Sequence, residues 1–330
     1  MTVFPDACAR PTILRTRTSP SSRERSCRRW SPRFRSRFGG LWTDLTVAHD
    51  VLAGKRALGW VNDEEAERLA AFIDHGFVIL EGAVPEATIE AVLADVEATL
   101  DGRLPPRDAE WWTHEGKQHG RATRAIMRED AAKMLDLHAT SPATQAMIFA
   151  PPIARFLELV FERPPLAFQS LTFELGTRQP VHQDTAFVRV SSAPRARRVL
   201  GGARGHHARL GRAHVLPGQP RVARGALRGP LEVGAERNDR RPRLQRSPAR
   251  ARARGGAVAD ALLPRRGDAL FWAADLVHGG APDVEPGRTR RSHVTHYCPL
   301  DRSPMYLVGA PADRKRASVN GGYVCEDSRG

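Results

Sequence analysis

The chain contains no Phe, Trp or Tyr between Arg189 and Leu270, and this gap limits where a packed core can form. Residues 195–254 hold seventeen Arg, no Lys and three acidic residues, without a sustained period of 2 or 3.6. So few large apolar side chains cannot offset the entropy lost on ordering such a segment. We therefore expect residues 195–257 to be either a disordered basic linker or the product of a reading-frame error. Arg has GC-rich codons and Lys does not, so many Arg without Lys are expected when GC-rich DNA is read out of frame. Resequencing the locus would distinguish the disordered linker from the reading-frame error.

The first forty residues are similarly rich in Arg, Ser and Pro, and we expect residues 1–40 to form a disordered tail. Residues 1–40 and 195–254 together hold 27 of the 51 basic residues but only 5 of the 37 acidic ones. The rest of the chain therefore has 24 basic and 32 acidic residues, so the net charge of +14 does not describe the folded part. A basic nucleic-acid-binding protein is an alternative function. No nucleic-acid partner is expected, however, because the Arg-rich stretches lack interleaved aromatic residues.

Other features of the composition indicate the cellular location and the number of domains. No run of eighteen apolar residues exists, which argues against a membrane span, and no apolar stretch of a secretory signal follows the Arg-rich start. The four cysteines are too scattered for a disulfide framework and favour a cytoplasmic location; they are Cys8, Cys27, Cys298 and Cys325. Residues 41–330 are long enough for one domain that includes the Arg-rich segment.

Helical patterns precede strand patterns along residues 41–330. Residues 62–73 predict a helix capped by Asn62, and residues 76–84 predict a buried strand. Another helix is expected from Pro85 onward, a mostly helical stretch at 124–160, and a strand at 167–175. This order favours an α+β fold whose helices support a β-sandwich or barrel.

A pattern of three side chains suggests a metal site. His182 and Asp184 stand two residues apart in VHQDT, and on a strand such residues project to the same face. His278 follows an apolar strand-like run and precedes what looks like a Gly-Gly turn. Two imidazoles and one carboxylate suit non-haem Fe(II), because they leave positions open for a cosubstrate and O₂. A His-x-Asp pair alone arises often by chance, and the alternative is a hydrogen-bonded strand histidine.

A cationic side chain downstream of His278 strengthens the interpretation as a metal site. Arg290 and Ser292 would share a strand face in TRRSHVTHY. A guanidinium with a neighbouring hydroxyl can bind a carboxylate in bidentate fashion. A dicarboxylic cosubstrate that chelates iron at one end needs such an anchor at the other.

The segments HQDTAFV, GDALFWAADLVHGG and RTRRSHVTHY resemble, in the right order, the marker segments of the phytanoyl-CoA dioxygenase family. The resemblance covers roughly residues 65–192 and 258–300. It implies a double-stranded β-helix (jelly-roll) core with flanking N-terminal helices. It also implies an Fe(II)- and 2-oxoglutarate-dependent dioxygenase that hydroxylates a small or lipid-like metabolite with O₂ and releases succinate and CO₂.

The resemblance also assigns roles to particular residues. His182, Asp184 and His278 would be the catalytic metal ligands, and Arg290 with Ser292 would bind 2-oxoglutarate. The Arg-rich segment stands where the family has the middle strands of its jelly roll. If that segment is a reading-frame product, the chain lacks part of the barrel wall. An inactive or mistranslated relative is therefore a further alternative.

Several other side chains are weaker candidates for the site. Gln169 and Thr172, on the strand before His182, could face the cosubstrate. His293 and His296 should lie on opposite faces of their strand, with one of them in the core or the pocket. Trp272 is expected in the core.

Overall fold

The computed structural model describes residues 41–129, 131–175, 182–186, 188–191, 200–201, 213–215, 260–262, 264–280, 289, 291–305 and 316–325. The expected tail at residues 1–40, most of the Arg-rich segment and Arg290 lie outside these ranges.

Five α-helices occur in the described part of the chain, and all of them precede the long central strands. They are α1 (Ala48–Ala57), α2 (Asp63–His75), α3 (Glu86–Leu100), α4 (Pro142–Ile148) and α5 (Pro151–Phe161). Asn62 begins α2 through a reciprocal capping box with Glu65, with N–O distances of 2.8 and 2.9 Å. Gly76 ends this helix at a φ of 75°, a conformation that glycine adopts without strain. The helix predicted from Asn62 is therefore confirmed. None of the described helices has the length and apolarity to cross a bilayer.

Fifteen strands follow or separate these helices in the described residues. They are β1 (Phe77–Leu80), β2 (Asp108–Thr113), β3 (Gly116–Arg121), β4 (Lys133–Leu135), β5 (Pro165–Phe173), β6 (Arg189–Ser191), β7 (Leu200–Gly201), β8 (Ala213–Val215), β9 (Asp260–Leu262), β10 (Ala269–Ala273), β11 (His278–Gly280), β12 (Ser292–Pro299), β13 (Ser303–Met305), β14 (Arg316–Val319) and β15 (Gly322–Cys325).

The strands form one large curled sheet and two small sheets. The large sheet has the order β1-β10-β7-β12-β5-β4-β2-β3, and β15 joins it beside β5 and pairs with β14. The small sheets have the orders β11-β8-β9 and β13-β6. The described strands pair antiparallel, apart from β15 with β5. The prediction of an α+β fold with a jelly-roll core and N-terminal helices is confirmed, with the curled sheet forming half of a barrel.

The two faces of β12 have different neighbours. Tyr297 donates a 2.8 Å hydrogen bond to the carbonyl of Ile148, so its face is covered by helices. His296 lies on the opposite, interior face, with its Nε2 3.8 Å from Oδ2 of Asp184. The register between β12 and β5 shifts between His296 and Tyr297. The interior of the sheet is therefore where His182 and Asp184 meet β12.

The helix α5 anchors the outer layer. Ile153, Leu157 and Val160 are fully buried, and the ring of Phe156 lies 4.7 Å from that of Phe271 on β10. Burying each such side chain contributes roughly 1.5–3 kcal/mol. This packing holds β10 in place, and β10 leads directly into the segment that contains His278.

Two local predictions need correction. The stretch 124–160 is mostly helical but also contains the short strand β4, and the β2–β3 hairpin before it was not expected. The sequence of β3, GKQHGR, is polar and lacks the alternation of apolar residues that identifies a strand. Gly279 and Gly280 are not a turn, because they continue β11 opposite β8.

Candidate metal centre

A short antiparallel bridge brings the first and last of the three candidate ligands together. The amide of His182 donates to the carbonyl of His278 at 2.8 Å, and the amide of His278 donates back at 2.9 Å. The two imidazole rings consequently lie side by side, with centroids 4.4 Å apart. The sequence predicted a strand at His182 and placed His278 after a strand-like run, but only the folded backbone shows that the two residues pair with each other.

Asp184 joins this pair through a different local structure from the one expected. It is the first residue of a 3-10 helix, Asp184–Ala186, and not the continuation of a strand. Its Oδ1 lies 3.4 Å from Nε2 of His182 and 3.5 Å from Nε2 of His278. The prediction of a strand at Asp184 is therefore wrong, although the side chains of His182, Asp184 and His278 do converge.

The three side chains fit a divalent transition metal. Their ligand atoms all lie within 4.8 Å of one another, and within the described ranges no other group of His, Cys, Asp and Glu converges in this way. Burial alone would raise the pKa of Asp184. The neighbouring imidazoles of His278, His182 and His296 outweigh it and hold that pKa well below its usual range. Two imidazoles and an ionised carboxylate are the donor set that leaves open positions on non-haem Fe(II).

The ring of His278 has a fixed orientation. Its Nδ1–H donates a 3.0 Å hydrogen bond to the carbonyl oxygen of Leu276. The other nitrogen, Nε2, faces Asp184 and offers a lone pair to a metal ion when the ring is neutral. Hydrogen bonding of this kind orients a metal-binding histidine and raises its basicity.

Trp272 contacts the site in a way that the sequence interpretation missed. As expected it is buried, at 4% exposure, but its Nε1–H also donates a 2.7 Å hydrogen bond to Oδ2 of Asp184. A buried indole N–H usually finds an acceptor, so Trp272, six residues before His278, could have been suspected of a polar contact near the site.

The weaker candidates divide between the two faces of the sheet. Gln169 is 8% exposed and stands directly opposite His296, so its side chain is on the interior side. Its Oε1 has no hydrogen-bond partner among the described residues. Thr172 bonds Nδ1 of His293 at 2.9 Å, and its contact with the cosubstrate stays a prediction. The expectation that His293 and His296 lie on opposite faces is confirmed.

The candidate cosubstrate anchors are only partly described. Ser292 is the first residue of β12, is 7% exposed and stands opposite Phe173. Arg290 lies outside the described residues. Arg291 forms ion pairs with Glu174 and Glu97, at 3.1 and 3.4 Å.

The converged His-Asp-His side chains are the donor set that mononuclear non-haem iron enzymes use. Residues 72–208 match the family model described as phytanoyl-CoA dioxygenase (PhyH). The match includes His182 and Asp184 and ends before His278. Iron and 2-oxoglutarate are the cofactor and cosubstrate of this class.

Solved structures with a similar chain path include three proteins of low sequence identity. The epimerase SnoN from nogalamycin biosynthesis is 17% identical over 73% of this chain and 85% of its own, with a TM-score of 0.48. EctD from S. alaskensis, solved with 2-oxoglutarate and 5-hydroxyectoine, is 17% identical over 81% and 90%, with a TM-score of 0.48. HygX from Streptomyces hygroscopicus, solved with nickel and 2-oxoglutarate, is 15% identical over 71% and 87%, with a TM-score of 0.43. Sequence identities and TM-scores this low imply no shared substrate. A comparison with curated protein sequences finds no match.

Proposed function

We propose that this chain is an Fe(II)- and 2-oxoglutarate-dependent dioxygenase that hydroxylates a small or lipid-like metabolite and releases succinate and CO₂. The observation that carries the proposal is the convergence of His182, Asp184 and His278 within 4.8 Å in the interior of the curled sheet. In this proposal His182 and His278 supply Nε2 atoms, and Asp184 supplies Oδ1. Bound Fe(II) would supply O₂ activation coupled to oxidative decarboxylation of 2-oxoglutarate.

The protein's own contribution is to bind and orient the cosubstrate. Fe(II) with ionised Asp184 carries a net charge of about +1, and 2-oxoglutarate brings two negative charges. A guanidinium at Arg290, with the hydroxyl of Ser292 beside it, would balance the remaining charge and hold the distal carboxylate. The interior amide of Gln169 is a further hydrogen-bonding group on the same side of the sheet.

Apolar side chains near Asp184 keep water out of the site. Val188, Phe168 and Ala274 belong to one buried cluster, and the ring of Phe168 stacks on His296 with centroids 6.1 Å apart. Electrostatic interactions strengthen where water is excluded, so these walls help to hold a charged cosubstrate in one orientation.

The test is an anaerobic titration with Fe(II) and 2-oxoglutarate, followed by the weak visible charge-transfer band of the chelate. We expect the band in the wild type and its loss in His182→Ala. A matched control is His114→Ala, because His114 is an exposed histidine on the β2–β3 hairpin, with a side chain that is 91% accessible. A folded, soluble wild type without the band would refute the proposal and favour the inactive relative.

A further inference from the structure

We propose that Trp272 is a positioning residue that holds one oxygen of Asp184 away from the metal, so that the carboxylate binds through its other oxygen alone. This inference rests on the proposed function, since it assigns a role toward the iron. It concerns a contact within the chain itself, the 2.7 Å hydrogen bond from the indole N–H of Trp272 to Oδ2 of Asp184.

The two carboxylate oxygens of Asp184 have different neighbours. Oδ1 faces Nε2 of His182 and of His278, at 3.4 and 3.5 Å. Oδ2 faces Trp272 at hydrogen-bond distance and His296 at 3.8 Å, which is too long for a hydrogen bond. A hydrogen bond to a charged acceptor is about twice as strong as a neutral one, so rotating the carboxylate to offer both oxygens would be costly.

The sheet holds Trp272 in place. Trp272 pairs with Phe77 of β1 on one side and with Gly201 of β7 on the other. Its ring also contacts that of His278, with centroids 5.2 Å apart. The residue that restrains the carboxylate and the residue that supplies an imidazole therefore lie on successive strands, β10 and β11.

The restraint has a consequence for ligand number. An octahedral ion has six positions, of which three single-atom protein ligands and a bidentate 2-oxo acid would take five. If Asp184 bound through both oxygens, it would occupy the sixth position, which O₂ needs. Trp272 would keep that position available by holding Oδ2.

A second tryptophan provides a matched control. The indole N–H of Trp42 donates a 2.8 Å hydrogen bond to the carbonyl of Leu159, and Trp42 is 8% exposed. Trp272→Phe and Trp42→Phe each remove one buried indole ring and the hydrogen bond that its N–H group donates. Only the former touches Asp184, so a difference between them in metal binding reports the positioning role.

The experiment is a titration of each variant and the wild type with Co(II) alone, followed by the visible ligand-field spectrum. Trp272→Phe should bind Co(II) about 10–100-fold more weakly than the wild type and with a changed band shape. Trp42→Phe should keep the wild-type affinity within about twofold, although both variants lose thermal stability. A folded Trp272→Phe with wild-type affinity and spectrum would overturn the inference and leave the proposed function standing. A wild type that binds no Co(II) would remove the proposed metal site and the inference with it.

A second measurement needs no substitution at position 272. The chain has six tryptophans, and ¹⁵N-labelled indole resonances can be followed individually by NMR. The indole proton of Trp272 should be protected from solvent exchange and should remain in the spectrum of Trp42→Phe. Its resonance should persist when Zn(II) is added and should broaden beyond detection when paramagnetic Co(II) is added. If no protected indole proton responds to Co(II) in a protein that binds the ion, Trp272 does not hold Asp184.

Discussion

The backbones of His182 and His278 exchange two hydrogen bonds, at 2.8 and 2.9 Å, although the Arg-rich segment separates them in sequence. This pair of bonds brings the two imidazole rings to a centroid separation of 4.4 Å. An ion bound between the rings would therefore tie together two segments that are distant along the chain.

Metal binding should stabilise the fold by mass action. An ion that binds only the folded state at a concentration of 100 times its Kd raises the free energy of unfolding by about 2.7 kcal/mol. We expect Ni(II) to raise the unfolding temperature, EDTA to reverse the shift, and His278→Ala to show no shift. Thermal unfolding followed by circular dichroism measures this, and an equal shift in His278→Ala would place the ion elsewhere.

The adjacent arginines Arg290 and Arg291 should differ in their effect on 2-oxoglutarate. The sequence pattern predicts that Arg290 and Ser292 share a strand face and together bind the distal carboxylate. Arg291 is occupied by ion pairs with Glu174 and Glu97. Losing a bidentate guanidinium–carboxylate contact costs roughly 1.5–3 kcal/mol, so Arg290→Ala should weaken 2-oxoglutarate binding about 10–100-fold.

Arg291→Ala is the control for this comparison. Its partners are partly exposed, and such ion pairs contribute only about 0–1 kcal/mol. We therefore expect an almost unchanged Kd for 2-oxoglutarate, measured by calorimetry with Co(II) or anaerobic Fe(II). If Arg291→Ala has the larger effect on the Kd, the assignment of Arg290 is wrong and Arg291 is the anchor.

Stability should depend on pH through His293. Burial, together with the neighbouring His138, lowers the pKa of this imidazole from 6.5 to about 3. Between these values the unfolded chain binds a proton that the folded chain does not. The stabilising contribution is therefore complete above pH 6.5 and is lost as the pH falls toward 3. The slope is at most about 1.4 kcal/mol per pH unit.

His293→Gln removes this titration while retaining a polar side chain that can reach Thr172. Urea unfolding at pH 7, 6 and 5 should give a flatter dependence of the unfolding free energy on pH in His293→Gln than in the wild type. The exposed His114→Gln is the control and should follow the wild-type slope. Parallel slopes in all three proteins would mean that His293 is protonated in the folded state.

The elements and residues predicted correctly are those whose signals are local. Asn62 and the acidic first turn that follows it identify α2, and the apolar run after Gly76 identifies β1. The types and order of the three candidate ligands were also readable, because His182, Asp184 and His278 lie in short motifs.

What the sequence left open depends on partners that are distant along the chain. The periodicity around Trp272 indicates a buried side chain but does not identify Asp184 as the acceptor of its N–H. Whether Gln169 faces the site depends on the register shift between His296 and Tyr297, for which the local sequence has no signature. The 3-10 helix at Asp184 is likewise set by tertiary contacts, among them a hydrogen bond from the amide of Thr185 to the carbonyl of Ala274.

Gly322 lies in β15 against the ring of Phe149, and a methyl group at this position would overlap that ring. Phe149 is 2% exposed, and its ring also packs edge-on against Tyr297, with centroids 6.0 Å apart. The ring therefore has little room to move. Overpacking of this kind typically costs about 1–3 kcal/mol, and we expect Gly322→Ala to lower the free energy of unfolding by about that amount.

Gly54 offers the opposite case within the same chain. It lies inside α1 on the exposed surface, and an added Cβ would meet no atom within 4 Å. Gly54→Ala should therefore stabilise the protein by about 0.5–1 kcal/mol, because alanine loses less backbone entropy in a helix. Urea unfolding of both variants measures the two changes. If Gly322→Ala proves as stable as the wild type, the ring of Phe149 is free to move, and β15 is less tightly packed on the helical layer than the structure indicates.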